Sequence, residues 1–124
     1  MTSEAALYQF FNGFQIPAYA ASSVPSDATF PYITYELAIG EMMEEEVNIP
    51  VNVWYRTESE AQPNAKVREM YDRIGMGGVT VPVDDGMLWI KRGRPWAQSI
   101  TVAGEDEKVK RRYLNIDVEY LTIG

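Results

Sequence analysis

The sequence predicts an α+β fold, a mostly antiparallel β-sheet with two amphipathic helices packed on one face, in a single domain over residues 1–124. Three observations predict it. Several stretches, Val47–Arg56 most clearly, alternate apolar and polar residues with period two, as half-buried strands do. Two other stretches repeat apolar residues at helical spacing. Short turn signals rather than long crossovers join most strands, which favours antiparallel pairing.

The first helix is predicted from Glu4, capped by Ser3, with Leu7, Phe10, Phe11 and Phe14 on one stripe and Pro17 as its stop. Pro17–Thr29 reads as irregular chain with a turn at Pro25-Ser26-Asp27. Tyr32–Ile39 reads as a strand with Ile33, Tyr35, Leu37 and Ile39 facing one way. Gly40–Glu46 joins it to Val47–Arg56 as the tip of a long hairpin. In that second strand Val47, Ile49, Val51, Val53 and Tyr55 share a face, and Asn48, Pro50, Asn52 and Trp54 share the other. Pro50 has no N–H for a ladder, so the strand is expected at a sheet edge or in a bulge. There it either docks another chain through Trp54 or is an edge blunted by proline.

A second helix is expected to begin between Thr57 and Pro63, where two capping-box patterns compete with a first-turn proline. Val67, Met70, Tyr71 and Ile74 form its stripe, and Lys66, Arg68, Glu69, Asp72 and Arg73 stay outside. Glycines 75, 77 and 78 end it. Val79–Val83, the turn Asp84-Asp85-Gly86 and Met87–Arg92 read as a second hairpin. Gly93–Val109 is undecided, with a short strand at Ser99–Val102 as one reading. Arg112–Leu121 is the last strand, with Leu114, Ile116, Val118 and Tyr120 on one face.

Composition narrows the chemistry. The chain has neither cysteine nor histidine. Disulfides, thiolate ligands, cysteine nucleophiles, a Ser-His-Asp triad and most zinc sites are therefore excluded. No apolar run is long enough to span a bilayer, and the N-terminus has no basic-then-apolar signal pattern, so neither a membrane role nor export is expected. The net charge is −7, unevenly placed. Residues 1–60 carry nine acids against Arg56 alone, and the remainder carries nine acids against ten bases. The overall sign disfavours a broad nucleic-acid-binding face, and the asymmetry fits complementary surfaces meeting between copies as well as it fits charges intermixed on one solvated surface.

No catalytic constellation emerges, and no cofactor is expected. Gly75-Met76-Gly77-Gly78 lies at a helix end and lacks the lysine of a phosphate loop. Asp84-Asp85 reads as turn chemistry. Consecutive carboxylates such as Glu44, Glu45 and Glu46 do not automatically converge on one ligand. The tip is notable instead for Met42 and Met43, adaptable contact residues among four glutamates; a solvated loop is the competing reading. Arg92, Arg94 and Trp96 place cations and an aromatic ring together, and Trp54 faces outward from its strand. Met42, Met43, Glu44, Glu45, Glu46, Trp54, Arg92, Arg94 and Trp96 are thus the candidate interface residues.

The stretches YQFFNGFQIPAY at 8–19, FPYITYEL at 30–37, VNVWYR at 51–56 and IKRGRPWAQS at 90–99, with the order of elements, resemble the tail terminator proteins of bacteriophages with long, non-contractile tails. The resemblance runs almost end to end but rests on no catalytic or ligand motif, and it supplies no residue-level sites. It implies a small virion protein that forms a ring, usually a hexamer, on the head-proximal end of the tail tube. Its partners would be the major tail tube protein and a head-completion or connector protein, with genomic DNA passing through the bore without specific binding. It would be assembled in the host cytoplasm and reside in the head–tail neck. The Glu41–Glu46 tip is expected to line the bore, where carboxylates would repel phosphates, or to meet the tube. The alternatives are another neck protein that joins head to tail, and a small carboxylate-dependent hydrolase using Asp84, Asp85 or the glutamate cluster.

Overall fold

The structure is a computed structural model that describes residues 1–37, 46–101 and 107–122. Helix α1 spans Ser3–Phe11 and α2 spans Ala61–Ile74. The strands are β1 Ala18–Ala20, β2 Tyr32–Tyr35, β3 Val47–Arg56, β4 Val79–Val83, β5 Gly86–Ile100 and β6 Val109–Thr122. They form one sheet in the order β1-β2-β3-β6-β5-β4, antiparallel except for the β1–β2 pair. The predicted α+β class and the mostly antiparallel sheet are what the chain forms.

Strand β3 has the predicted alternation, but it lies inside the sheet, between β2 and β6, and not at an edge. Pro50 is tolerated there for a local reason. Its carbonyl accepts from the Glu36 N–H at 3.0 Å, so this residue's hydrogen-bonding side faces β2, whose ladder has ended at Tyr35 opposite Val51. The missing donor therefore falls where the β2 pairing runs out, and the β3–β6 ladder on the other side continues past Pro50 opposite Asn115.

Thr2, one residue ahead of the predicted cap, accepts from the Ala5 N–H at 3.1 Å and starts α1. Leu7, Phe11 and Phe14 are fully buried, as their stripe predicts. Phe11 meets Phe10 edge-on at 5.3 Å and stacks on Tyr35 of β2 at 4.7 Å. The helices do not share one flat face. Helix α1 packs against both β1 and β4, which lie at opposite ends of the strand order, so the sheet curls around it. The Met1 carbonyl accepts from the Asp84 N–H at 2.9 Å and holds the start of the chain to the end of β4. Helix α2 packs on β3, β5 and β6. Met70 and Ile74 of α2 join Leu7, Phe10 and Phe11 of α1 and the inward side chains Ile49, Val51, Leu88, Ile90, Leu114 and Ile116 in one apolar cluster.

The buried stripe of α2 is rotated from the predicted one. Pro63, Lys66, Met70 and Ile74 are buried, while Val67 and Tyr71 are half-buried at its margin. Lys66 goes in because its ammonium has partners there: Nζ donates to the Phe14 carbonyl at 2.5 Å and to Glu69 at 2.8 Å. Arg73 donates to the Gly13 carbonyl at 3.3 Å. Two cations of α2 thus serve the carbonyls of the turn that follows α1.

Two further elements differ from the sequence reading. Strand β1 lies in the stretch read as irregular. It is three residues long and is fixed by Asn12, which accepts from the Ala18 N–H at 3.0 Å and donates to the Ala18 carbonyl at 3.2 Å. Strand β5 does not stop at Arg92. It continues to Ile100, and β6 starts at Val109 to pair with β3 and β5.

Candidate assembly interface

The interruption in β5 is a wide bulge. Arg92 pairs with Ile116 and Ala97 with Leu114, so Gly93–Trp96 stand opposite Asn115 alone. Asn115 holds the bulge by donating to the Pro95 carbonyl at 2.7 Å. Gly93 has to be glycine in this register, because a Cβ there would lie 2.7 Å from Asn115. The bulge throws Trp96 toward α2, where its ring meets Tyr71 edge-on at 5.6 Å. The buried Trp96 Nε1 has no acceptor among the described residues.

Arg92, Arg94 and Trp96, three of the predicted interface residues, surround a common hollow with Tyr71 and Met76. Arg92 has a structural task within it. Its Nε and Nη2 donate to the Tyr71 carbonyl at 3.0 and 2.8 Å, and its guanidinium lies 3.4 Å from the Tyr71 ring centroid. It therefore adds charged donors to a carbonyl in the last turn of α2 that already accepts from the Gly75 N–H at 3.1 Å, where the helix dipole favours a cation. Arg94 is exposed and has no carboxylate partner among the described residues. Met76 is 96% exposed beside it.

Next to this hollow, and sharing Tyr71 and Trp96 with it, a groove of about 590 Å³ runs between α2 and β5. Val67, Tyr71, Trp96 and Ala97 give it apolar walls. Arg112 sits in its floor, a cation only 6% exposed because it projects to the sheet's inward face. It is kept there by Glu60, by Asn64 at 3.0 Å and by Ser99 at 3.2 Å. The same guanidinium holds the Glu60 carboxyl below its ordinary value, chiefly by hydrogen bonding. One wall of the groove is an open sheet edge. Strand β4 pairs only with Gly86–Ile90, so Ala97–Ile100 has β6 on one side and no strand on the other among the described residues.

Trp54 is elsewhere. It projects from the outward face of β3, stacked on Tyr32 at 6.3 Å, with the Arg111 guanidinium 5.1 Å from its ring centroid. Its Nε1 donates to Thr34 at 3.0 Å. Phe30 stacks on Tyr32 at 5.4 Å and extends the row. Burial beneath this row raises the Tyr32 hydroxyl above its ordinary value. The row crosses β2, β3 and β6 on the face away from α2, so the structure does not bring Trp54 together with Arg92, Arg94 and Trp96.

Met42, Met43, Glu44 and Glu45 lie outside the described residues. Glu46 is described, and it belongs to the outward face, where it pairs with Lys91 at 2.6 Å. Lys91 also reaches Glu119 at 3.2 Å and lies 4.3 Å from the Trp89 ring centroid. Hydrogen bonding to Glu46 is the main reason its ammonium is held above the ordinary lysine value.

The carboxylates proposed for hydrolysis have other surroundings. Asp84 pairs with the amino group of Met1 at 2.5 Å. Asp85 takes a left-handed conformation, φ 61°, in the two-residue turn between β4 and β5. Among the described residues, no group of three or more His, Cys, Asp or Glu side chains is placed to hold a metal ion, and no helix is long and apolar enough to cross a membrane. Sequence reasoning missed the groove residues Arg112, Asn64 and Val67, because their meeting depends on the rotation of α2 and on the register across the bulge. No protein-family model, curated protein or solved structure matches this chain.

Proposed function

We propose that this chain is a structural protein of a long-tailed phage, forming a ring that caps the head-proximal end of the tail tube. The ring ends tube growth and offers a surface to the head-completion or connector protein. The tube protein is its partner on the other side, and the genome passes through the bore without being bound. Its place is the head–tail neck of the virion.

The sequence resemblance supports this reading. The observation that carries it furthest structurally is the open edge Ala97–Ile100 beside an apolar groove. An unpaired strand edge is a template for another chain, and a protein acting alone covers or blunts it. Here a groove flanks the edge and Trp96 beside it lacks an acceptor among the described residues. Contact with another chain accounts for both features. A ring requires one surface to meet a different surface of the next copy.

The test is arrest of tube growth. The purified protein, added to growing tail tubes, should fix their length at the moment of addition and should be found at one end of each tube. Tubes that continue to lengthen at the same rate would remove the terminator reading. Binding to isolated heads instead of tubes would replace it with the head-joining one.

A further inference from the structure

Met76 is the most exposed large apolar side chain among the described residues, and a fixed turn presents it. The Gly75 N–H donates to the Tyr71 carbonyl at 3.1 Å, the Gly78 N–H to the Gly75 carbonyl at 3.3 Å, and Trp89 Nε1 to the Gly77 carbonyl at 2.8 Å. Gly75 and Gly78 have φ of 80° and 82°, and a Cβ at Gly78 would lie 2.6 Å from the Ile90 carbonyl oxygen. The backbone of this turn is therefore held in one shape, while its methionine packs on almost nothing in its own chain. The hollow that Met76 borders carries the cations Arg92 and Arg94 and, among the described residues, no carboxylate.

This turn leads into β4, the last strand of the sheet. At the other end of β4 lies a second hollow, of about 280 Å³, lined by Met1, Thr2, Ser3, Glu4, Val83 and Asp84. Its carboxylates are Glu4 and Asp84 against the amino group of Met1, and Asp85 follows in the turn. Glu4 and Asp85 are exposed and have no ion-pair partner among the described residues. Strand β4 has five residues, so at about 3.3 Å per residue the two surfaces lie about 16 Å apart. We propose that Met76 of one copy enters the hollow at Met1 and Val83 of a second copy, with Arg94 meeting Glu4 and Asp85, so that copies join head to tail through the two ends of β4. A second copy is the occupant because each surface supplies what the other lacks. The hollow gives the unbranched, adaptable methionine an apolar lining, and its spare carboxylates answer the spare guanidinium. The two surfaces differ, so the contact is heterologous and each copy leaves one of each for the next. This inference rests on the ring reading and specifies its subunit contact.

The absence of cysteine allows a direct test. A chain carrying both Glu4→Cys and Met76→Cys is oxidised at concentrations where the unmodified protein is oligomeric, or on tube ends, and run without reductant. Both positions are exposed, and within one chain they lie beyond the reach of a disulfide, about 7 Å between Cα atoms. The expected result is a ladder of dimers, trimers and longer species, while either single variant alone stays at monomer mass. In an otherwise unmodified chain, Met76→Asp should weaken self-association about tenfold and leave thermal unfolding unchanged. A dimer formed by Met76→Cys alone would show two knobs meeting about a two-fold axis and would overturn the head-to-tail contact. Absence of any cross-link in samples that imaging shows to be rings, or unchanged association on Met76→Asp, would refute this contact while leaving the ring reading intact. A protein that is monomeric at every concentration and on tube ends would remove both.

Discussion

Arg112 and Glu60 are joined across the fold, the guanidinium from the sheet's inward face and the carboxylate from the residue that precedes α2. The pair ties the start of α2 to β6 at the groove. Glu60 is held below its ordinary carboxyl value by this contact, so the folded state binds its proton less readily than the unfolded chain. The resulting stabilisation is present above the unfolded value of about 4.3 and is lost as pH falls through the folded value. Glu60→Gln removes the titrating group. In urea unfolding series from neutral to acid pH, the wild type should lose stability more steeply than the variant below about pH 4.3.

Phe11 is fully buried between Phe10 and Tyr35, whereas Tyr8 on the same helix is 54% exposed. Phe11→Ala should cost about 3–5 kcal/mol, the transfer and cavity terms together. Tyr8→Ala should stay within about 0.5 kcal/mol. Chemical denaturation of the two variants measures the difference.

Gly86 allows β6 to approach the start of β5. A Cβ at this position would lie 2.2 Å from the Leu121 carbonyl oxygen and 3.1 Å from the Tyr120 ring. Gly86→Ala should therefore destabilise by about 1–3 kcal/mol, by displacing the last turns of the β5–β6 pair. Gly77→Ala meets no atom within 4 Å and serves as the control. Thermal unfolding of both compares them directly.

Trp54 and Trp96 should separate stability from assembly. The Trp54 ring and its Nε1 are engaged by Tyr32, Arg111 and Thr34 of its own chain, so Trp54→Ala should lower stability first. Trp96 lacks an acceptor among the described residues and borders the groove, so Trp96→Ala should weaken self-association by about 2 kcal/mol, roughly thirtyfold in Kd. Equal effects of the two substitutions on the concentration dependence of light scattering would contradict this division.

The elements with sustained periodicity were legible in the sequence. The phenylalanine stripe of α1, the alternation of β3 and the Asp84-Asp85-Gly86 turn each announce their structure locally. Pro50 misled because a proline reports only that one N–H is missing. Whether that N–H would have faced solvent or the end of a neighbour's ladder depends on where β2 stops. Strand β1 was hidden because three residues cannot show a period, although Asn12 fixes them. Lys66 was placed outside because its partner, the Phe14 carbonyl, lies far away in sequence. The grouping of Arg92, Arg94 and Trp96 was visible because these residues are close neighbours in the chain. The groove they border was not, since α2, β5 and β6 build it together across the bulge.

The central claim, that copies of this chain close into a ring, is most directly tested by its solution mass. Light scattering over a concentration series, with negative-stain images of the same samples, should show a discrete multiple of the 14.1 kDa chain and particles with a central hole. A mass that stays at one chain throughout, with no ring seen even when purified tube ends are present, would contradict it.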